Sequence, residues 1–213
     1  MFGERINRNQ WSRDHEAQDN YLRLLDLSWE QTRQEYANYF RLLEPVVKHA
    51  CGRVLEIGCG IGNMTRWLSQ SPQVESILAV DGFKEGLERV AAARLPKVET
   101  LCALADNLQL PAGRQFDTVI MTEILEHLYP DEERALLAAI FPHLAPAARY
   151  IVSTPVGWMP DAFHVRGFSK RQFRKHLGRA YGDIELVDFG SGYSQLAVGK
   201  FNATPATAAA QSS

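Results

Sequence analysis

Two glutamates and two histidines are the side chains best able to move a proton or bind a cation. Glu123, Glu126 and His127 are spaced i, i+3 and i+4, which places them on one face if the segment turns helically. His164 follows the next predicted strand and can approach the same point. An imidazole titrates near neutral pH, so His127 or His164 suits a general base toward a hydroxyl group, with Glu123 positioning it.

The same four side chains also suit a divalent cation such as Mg²⁺ or Mn²⁺, which would hold and acidify a diol. A third interpretation is structural: Glu126 and His127 begin a short helix and do no chemistry. We predict His127, Glu123 and His164 as catalytic residues that work without a metal. A metal site made of Glu123, Glu126, His127 and His164 stays open as the alternative.

A glycine-rich turn upstream predicts a nucleoside-containing cofactor. The segment from Val54 to Asn63, VLEIGCGIGN, combines an apolar strand, a glycine turn and the start of a helix. Asp81 ends the next apolar run about 20 residues later, where a carboxylate can bind a ribose.

The glycine spacing and one carboxylate indicate which cofactor this is. The glycines follow the pattern Gly58-x-Gly60-x-Gly62, whereas a dinucleotide fingerprint needs its third glycine where Asn63 stands. Glu56, at the carboxyl end of the strand, would repel a pyrophosphate and attract an ammonium or sulfonium group. We therefore expect a cationic cofactor.

The segment from Val54 to Gly62 resembles the first motif of class I S-adenosylmethionine-dependent methyltransferases, and the resemblance extends over roughly residues 50–200. It implies that Asp81 accepts hydrogen bonds from the ribose hydroxyls, with Phe83 against the adenine face. Asp106 stands five residues before Pro111, as does that family's acceptor for the adenine amino group. The residues that the resemblance assigns to the cofactor are Glu56, Gly58, Cys59, Gly60, Gly62, Asn63, Met64, Asp81, Gly82, Phe83, Ala105, Asp106, Asn107 and Thr122.

Methyl transfer from a sulfonium is an in-line displacement, for which a protein chiefly aligns the nucleophile with the methyl group. The Glu-x-x-Glu-His segment from Glu123 to His127 is similar to one in ubiquinone-pathway O-methyltransferases. With His164 it also resembles the metal site of the family that 2′-O-methylates the 3′ ends of small RNAs. Residues 157–163 lack the RNA family's Asn after Thr-Pro and its longer polar stretch with a second His. We expect the acceptor to be a hydroxyl oxygen of a small molecule, such as a sugar, a phenol or another metabolite.

Two alternatives stay open: a metal-dependent 2′-O-methyltransferase acting on an RNA 3′ end, and a non-catalytic, cofactor-binding partner subunit. The net charge of −2 argues against a broad surface for nucleic acid, so we expect a small-molecule partner. The cationic cluster from Arg166 to Arg179 contains no acid and is either a solvated helix face or a site for a phosphate, a carboxylate or a nucleic-acid backbone. Trp158, Met159 and Phe163 could form an apolar wall of the acceptor pocket.

Apolar runs that alternate with amphipathic helical patterns predict a doubly wound α/β sheet of mostly parallel strands. The predicted parallel strands are Arg53–Ile57, Ser76–Val80, Val98–Ala103, Phe116–Thr122 and Tyr150–Thr154. A helix capped by Ser169 should follow, and then a hairpin of Ile184–Phe189 and Gln195–Phe201, because no helix fits between those two runs. These strands make up the seven-stranded, Rossmann-like methyltransferase fold that the resemblance implies.

The predicted methyltransferase domain spans residues 51–202 and has an addition at each end. An amphipathic stripe from Tyr21 to Leu43 predicts an N-terminal helical cap within residues 1–50. This helix either packs on the sheet edge or covers the active site, with Trp11, His15 and Tyr21 reaching the substrate. Residues 203–213, rich in Ala, Thr, Ser and Gln, are expected to form a flexible tail.

Cysteine content and hydropathy predict a soluble protein of a reducing cytoplasm. Cys51, Cys59 and Cys102 are odd in number and lack Cys-x-x-Cys spacing, so neither a disulfide framework nor a zinc site is expected. The chain shows no secretion signal and no run near the roughly 18 apolar residues of a membrane span, so no membrane partner is expected.

Overall fold

The computed structural model describes residues 28, 30, 31, 34, 37–159 and 163–202. Seven strands and five α-helices are defined within residues 37–202. The strands are β1 (Gly52–Ile57), β2 (Val74–Asp81), β3 (Val98–Cys102), β4 (Phe116–Thr122), β5 (Leu144–Pro155), β6 (Glu185–Val187) and β7 (Ser194–Lys200). The helices are α1 (Ala37–His49), α2 (Asn63–Gln70), α3 (Lys84–Ala92), α4 (Pro130–Ile140) and α5 (Lys170–Ala180). None of these described helices combines the length and the apolar character that a bilayer crossing needs.

The strands form one sheet in the order β3-β2-β1-β4-β5-β7-β6. β1 to β5 pair in parallel, whereas β7 runs antiparallel to both of its neighbours, β5 and β6. The predicted α/β fold, with its mostly parallel seven-stranded sheet and C-terminal hairpin, is confirmed. Ser169 caps α5 as predicted, because its hydroxyl accepts the Gln172 N–H.

Adjacent residues of the central strands point to opposite faces of the sheet, and both faces are covered. Val119 and Tyr150, on β4 and β5, belong to one apolar cluster, whereas Ile120 and Ile151 belong to the other. This alternation is the period of two that an extended chain imposes. The continuous apolar runs in the sequence reflect burial on both faces.

The described end of the N-terminal helix packs on one face of this sheet. Leu42, Leu43 and Val46 of α1 are buried and share the apolar cluster of Ile120 and Ile151. The rest of the predicted cap, including Trp11, His15 and Tyr21, lies outside the described residues, and so does the tail at 203–213. The helical cap and the flexible tail therefore stay predictions.

β5 departs most from its predicted bounds. It begins at Leu144 instead of Tyr150, and its pairing with β4 shifts register between Phe116 and Thr118. Ala147, with φ 62°, lies in this irregular stretch. The short side chains of Ala145-Pro-Ala-Ala148 carry no apolar periodicity, so the sequence pattern did not reveal the first half of the strand.

The strand order reverses at β1 and β4, which are neighbours whose following connections lead to opposite sides of the sheet. In open α/β sheets, ligands bind beyond the carboxyl ends of the strands at such a point. Glu56, Asp81, Thr122 and Ser153 lie at or near the carboxyl ends of β1, β2, β4 and β5. The topology thus brings the predicted cofactor and acceptor residues to one edge.

Candidate active site

The turn between β1 and α2 needs glycine where its backbone is left-handed. Gly58 has φ 73°, and a Cβ there would collide with the side chain of Ile124. Gly62, the N-cap of α2, has φ 83°, and a Cβ there would meet Val90 Cγ2 at 2.5 Å. A larger residue at either position would be strained and would also clash. These glycines let the chain turn sharply from β1 into α2, whose first residue is Asn63.

Asp81 ends β2 and anchors the glycine turn. Its carboxylate accepts hydrogen bonds from the Gly60 N–H and the Phe83 N–H, both at 2.7 Å. Burial raises the pKa of Asp81 above its ordinary value, although these N–H donors oppose the shift. A carboxylate has about four acceptor sites, so ribose hydroxyls can share it with the two N–H groups. The sequence analysis did not anticipate the anchoring role.

Glu56 and Asn63, beside the turn, keep buried acceptor oxygens that lack a full set of partners among the described residues. Glu56 is 2% exposed, and its carboxylate accepts a hydrogen bond from Thr65 Oγ1 at 2.7 Å. Burial raises the pKa of Glu56 to about 7. Asn63 Oδ1 is buried and has no hydrogen-bond partner among the described residues. Both oxygens suit a cationic donor such as an ammonium group, which would offset the cost of their burial.

The remaining residues predicted for the cofactor surround this turn. The Ala103 N–H donates to the Asp81 carbonyl at 2.9 Å, which brings the following 3-10 turn, Ala105–Asn107, beside the end of β2. A Cβ at Gly82 would meet Leu104 Cδ2 at 2.5 Å. Cys59, Met64, Phe83 and Thr122 are buried, whereas Asp106 and Asn107 are exposed.

Glu123 follows β4 in a strained conformation. Its φ is 55°, in the left-handed region that non-glycine residues seldom adopt. Its carboxylate accepts hydrogen bonds from Ser153 Oγ at 2.7 Å and Ser194 Oγ at 3.3 Å. Burial raises the pKa of Glu123, while the two hydroxyls and His164 oppose that shift. Backbone strain of this kind concentrates at functional sites.

Glu126 lies in the 3-10 turn Leu125–His127 and is 2% exposed. Its carboxylate accepts a hydrogen bond from Thr154 Oγ1 at 2.9 Å, and Oε1 lies 4.0 Å from His127 Nε2. Burial, together with the nearby charge of Glu123, raises the pKa of Glu126 to about 8. Glu126 therefore holds a proton at neutral pH.

The two histidines face each other, with ring centroids 4.8 Å apart. His127 Nδ1 lies 3.2 Å from the Phe163 carbonyl, and His164 Nδ1 lies 2.8 Å from the Met159 carbonyl. A carbonyl oxygen can only accept, so each Nδ1 carries a hydrogen and each neutral ring has its lone pair on Nε2. Both imidazoles are thus in the tautomer that lets Nε2 act as a base or a ligand.

The structure brings three of the four predicted residues together. One ligand atom each from Glu126, His127 and His164 lies within 4.8 Å of the others. Glu123 was predicted to position the base, His127 or His164. Its hydrogen bonds run to Ser153 and Ser194, and the carboxylate beside His127 is that of Glu126. The left-handed φ of Glu123 is the reason, because the chain turns helically only after that residue.

Four hydroxyl groups at the site were not singled out as site residues from the sequence. Thr65, Ser153, Thr154 and Ser194 donate hydrogen bonds to Glu56, Glu123 and Glu126. Ser153 and Thr154 lie near the carboxyl end of β5, a position that could have drawn attention to them. Ser194 is 71 residues from Glu123 and carries no local signal, since only the pairing of β7 with β5 brings it near.

Comparisons with known proteins support a methyltransferase family. A family model described as a methyltransferase domain matches residues 54–147. An uncharacterised methyltransferase of Bacillus anthracis is 31% identical over 108 residues, which are 51% of this chain and 49% of that protein. The match therefore spans about half the length of the curated relatives.

Solved structures share the fold. The DhpI–SAM–HEP complex superposes with a TM-score of 0.67 at 16% identity, covering 93% of this chain and 100% of the other. The methyltransferase domain of bacterial CtHen1-C gives a TM-score of 0.61 at 22% identity, covering 77% and 98%. Combined with the glycine turn, Asp81 and the matched family model, these similarities support a class I S-adenosylmethionine-dependent methyltransferase family for this chain.

Proposed function

We propose that this protein transfers a methyl group from S-adenosylmethionine to a hydroxyl oxygen of a small molecule. The observation that carries the proposal is the pair of facing imidazoles, His127 and His164, at the same sheet edge as the glycine turn. A hydroxyl must lose its proton as it attacks a methyl group, and a neutral imidazole serves this purpose near neutral pH.

The residues around the glycine turn fit the proposed cofactor. Glu56 and Asn63 offer buried oxygens to its ammonium and sulfonium charges. Asp81 would accept the ribose hydroxyls, and Phe83 and Asp106 would contact the adenine, as the resemblance implies. S-adenosylmethionine supplies an electrophilic methyl group on a positively charged sulfur.

The histidine pair would orient the acceptor and take up its proton. Nε2 of His127 would accept the hydroxyl proton as the oxygen attacks in line with the methyl group, with His164 orienting that oxygen. The His127 side chain is 31% exposed, so it can pass this proton on to solvent. Glu126, protonated at neutral pH, leaves the pocket less negative and can donate a hydrogen bond.

A panel of paired compounds tests the acceptor class. Purified protein is incubated with S-adenosylmethionine and with phenols, catechols and sugars, each beside its amine analogue. We expect S-adenosylhomocysteine release with hydroxyl compounds and none with the matched amines. Release with the amines alone would contradict the proposal. Cofactor binding without turnover on any compound, with or without Mg²⁺ or Mn²⁺, would favour the non-catalytic partner subunit.

The replacement Asp81→Ala is expected to weaken S-adenosylmethionine binding by about 1–3 kcal/mol, through loss of charge-assisted hydrogen bonds to the ribose. Calorimetric titration of the wild type and the variant measures the difference. Asp188→Ala serves as the control, because the Asp188 carboxylate also accepts a backbone hydrogen bond, from the Gly190 N–H, but in an exposed loop. Equal affinity of the Asp81 variant and the wild type would place the ribose elsewhere.

A metal-dependent reaction is the second candidate, and the grouping of Glu126, His127 and His164 favours it. Nitrogen and carboxylate ligands at this spacing can hold a divalent cation, which would also displace the proton from Glu126. In this account the acceptor is a diol, and an RNA 3′ end is one such diol.

Chelation separates the two candidates. Because the proposed imidazole base needs no metal, we expect turnover of the preferred hydroxyl compound to be unchanged in excess EDTA. Protein from which EDTA has been removed, with no metal added back, is the matched control for the metal-addition experiment. Turnover that disappears with EDTA and returns with Mg²⁺ or Mn²⁺ would contradict the metal-free mechanism and support the second candidate.

A further inference from the structure

Glu133 is a buried charge that methyl transfer does not use directly. It lies in the first turn of α4, in the run Asp131-Glu-Glu-Arg134, where a helix surface would be expected, yet it is 3% exposed. Its carboxylate accepts hydrogen bonds from Arg166 Nη1 on Oε2 at 2.7 Å and from the Tyr181 hydroxyl on Oε1 at 2.8 Å. His176 Nε2 also lies 2.7 Å from Oε1.

These partners keep Glu133 ionised. Burial alone would raise the pKa of Glu133, but the hydrogen bonds and charges of His176 and Arg166 outweigh burial and lower it to about 2. A buried carboxylate with three partners has a single preferred orientation, since each oxygen is directed by at least one donor. Glu133 is therefore a fixed point on α4.

Arg166 connects this fixed point to the acceptor site. While Nη1 binds Glu133, Nη2 and Nε donate to the Leu125 carbonyl at 2.8 and 3.2 Å. The guanidinium also lies over the ring of Phe168, 5.1 Å from its centroid. The sequence grouped Arg166 with the cations of α5, but its side chain is 15% exposed and points inward. The other members of that cluster, Lys170, Arg171, Arg174, Lys175 and Arg179, are exposed.

The two histidine-bearing segments meet at this arginine. The Val165 and Arg166 N–H groups donate to the Glu126 carbonyl at 2.8 and 3.2 Å. His127 Nδ1 lies 3.2 Å from the Phe163 carbonyl. Hydrogen bonds on both sides of His164 thus join residues 163–166 to the turn that carries His127.

We infer that Glu133 and Arg166 form a positioning pair that fixes the distance between His127 and His164, and so aligns the acceptor. The inference rests on the proposed function for its catalytic consequence, but not for its geometry. Arg166 is a positioning residue in this account and not a binding site for a substrate anion. A planar guanidinium is required, because it reaches the carboxylate and the carbonyl at once.

The sharpest variant is Arg166→Lys, which keeps a cation beside Glu133 but cannot reproduce the fork that also holds the Leu125 carbonyl. Tyr181→Phe is the matched control. It removes one hydrogen bond from the Oε1 atom of the same carboxylate and leaves the Arg166 contact on Oε2 in place. Glu133→Gln is a second test variant that acts from the other side of the pair.

Nuclear Overhauser effects between the ring protons of His127 and His164 report the spacing in isotope-labelled protein. Resonances are assigned with His127→Gln and His164→Gln, and S-adenosylhomocysteine titration shows that each variant is folded. We expect the cross-peak in the wild type and in Tyr181→Phe, and its loss in Arg166→Lys and Glu133→Gln with the cofactor Kd unchanged. With a turned-over acceptor, kcat should fall by about 100-fold in Arg166→Lys, the effect of misplacing a reacting group by about 1 Å.

Several results would overturn the positioning pair. A cross-peak that persists in Arg166→Lys, or that is lost equally in Tyr181→Phe, means that the pair does not set the spacing. If Arg166→Lys does not fold, Glu133→Gln is judged by the same criterion. The cross-peak does not depend on turnover, so failure to find an acceptor would count against the proposed function alone.

Discussion

Replacing His127 by glutamine is expected to lower the rate of methyl transfer by about 100- to 10,000-fold, the usual contribution of a general base. Glutamine retains a hydrogen-bond donor near the Phe163 carbonyl but has no group that accepts a proton near neutral pH. The rate is measured as S-adenosylhomocysteine release with the hydroxyl compound that the wild type methylates fastest. His143→Gln is the control, because Nδ1 of His143 also lies beside a backbone carbonyl, the carbonyl of Arg114.

Glu126→Gln shows whether the histidine acts as a base or as a metal ligand. The pKa of Glu126 is raised to about 8, so its carboxyl is mostly protonated near pH 7, and the glutamine amide resembles that form in shape and charge. A base mechanism then predicts a change of less than about tenfold, since a neutral hydrogen bond contributes about 1 kcal/mol. Loss of turnover as complete as that of His127→Gln would contradict the metal-free mechanism.

Glu133→Gln is expected to lower the free energy of unfolding near pH 7 by about 3 kcal/mol, because the pKa of Glu133 falls from an ordinary 4.5 to about 2 on folding. The pKa of Glu133 is lowered to about 2 in the folded state, so its stabilisation is present above the ordinary glutamate pKa. It is lost as pH falls toward 2. The difference between wild type and variant should therefore shrink progressively below about pH 4.5.

Urea unfolding at a series of pH values between neutral and strongly acidic measures this difference. Glu99→Gln is the matched control: Glu99 also pairs with an arginine, Arg114, but its side chain is 62% exposed. An exposed pair contributes about 0–1 kcal/mol, so this variant should be nearly as stable as the wild type. A Glu133→Gln variant with wild-type stability at neutral pH would show that the buried pair contributes no net stabilisation.

Most of the fold could be predicted because the hydrophobic pattern is strong where strands are buried on both faces. β4 was predicted with its observed bounds, Phe116–Thr122, since polar residues flank a run that is apolar throughout its centre. The start of β5 could not be predicted, because its short side chains carry no period. The hydrophobic pattern of a sequence reveals a strand or helix only where apolar side chains pack against the core.

The cofactor side of the site was predictable from local motifs, whereas the contacts of the acceptor side were not. Gly58 and Asp81 carry their signal within one continuous β1–α2–β2 segment. The partners of Glu123 and Glu133 depend on β7 and α5, which lie far along the chain. The left-handed backbone of Glu123 also broke the helical spacing on which the prediction relied.

Transfer of a labelled methyl group tests the central claim most directly. The protein is incubated with S-adenosylmethionine that carries ¹³C in its methyl group and with the hydroxyl compound identified in the panel, and the product is analysed by carbon NMR. We predict a labelled methoxy group on the acceptor in the wild type, and its formation about 100- to 10,000-fold more slowly in His127→Gln despite unchanged cofactor binding. A labelled methyl group on nitrogen, or equal methoxy formation in His127→Gln, would contradict the account.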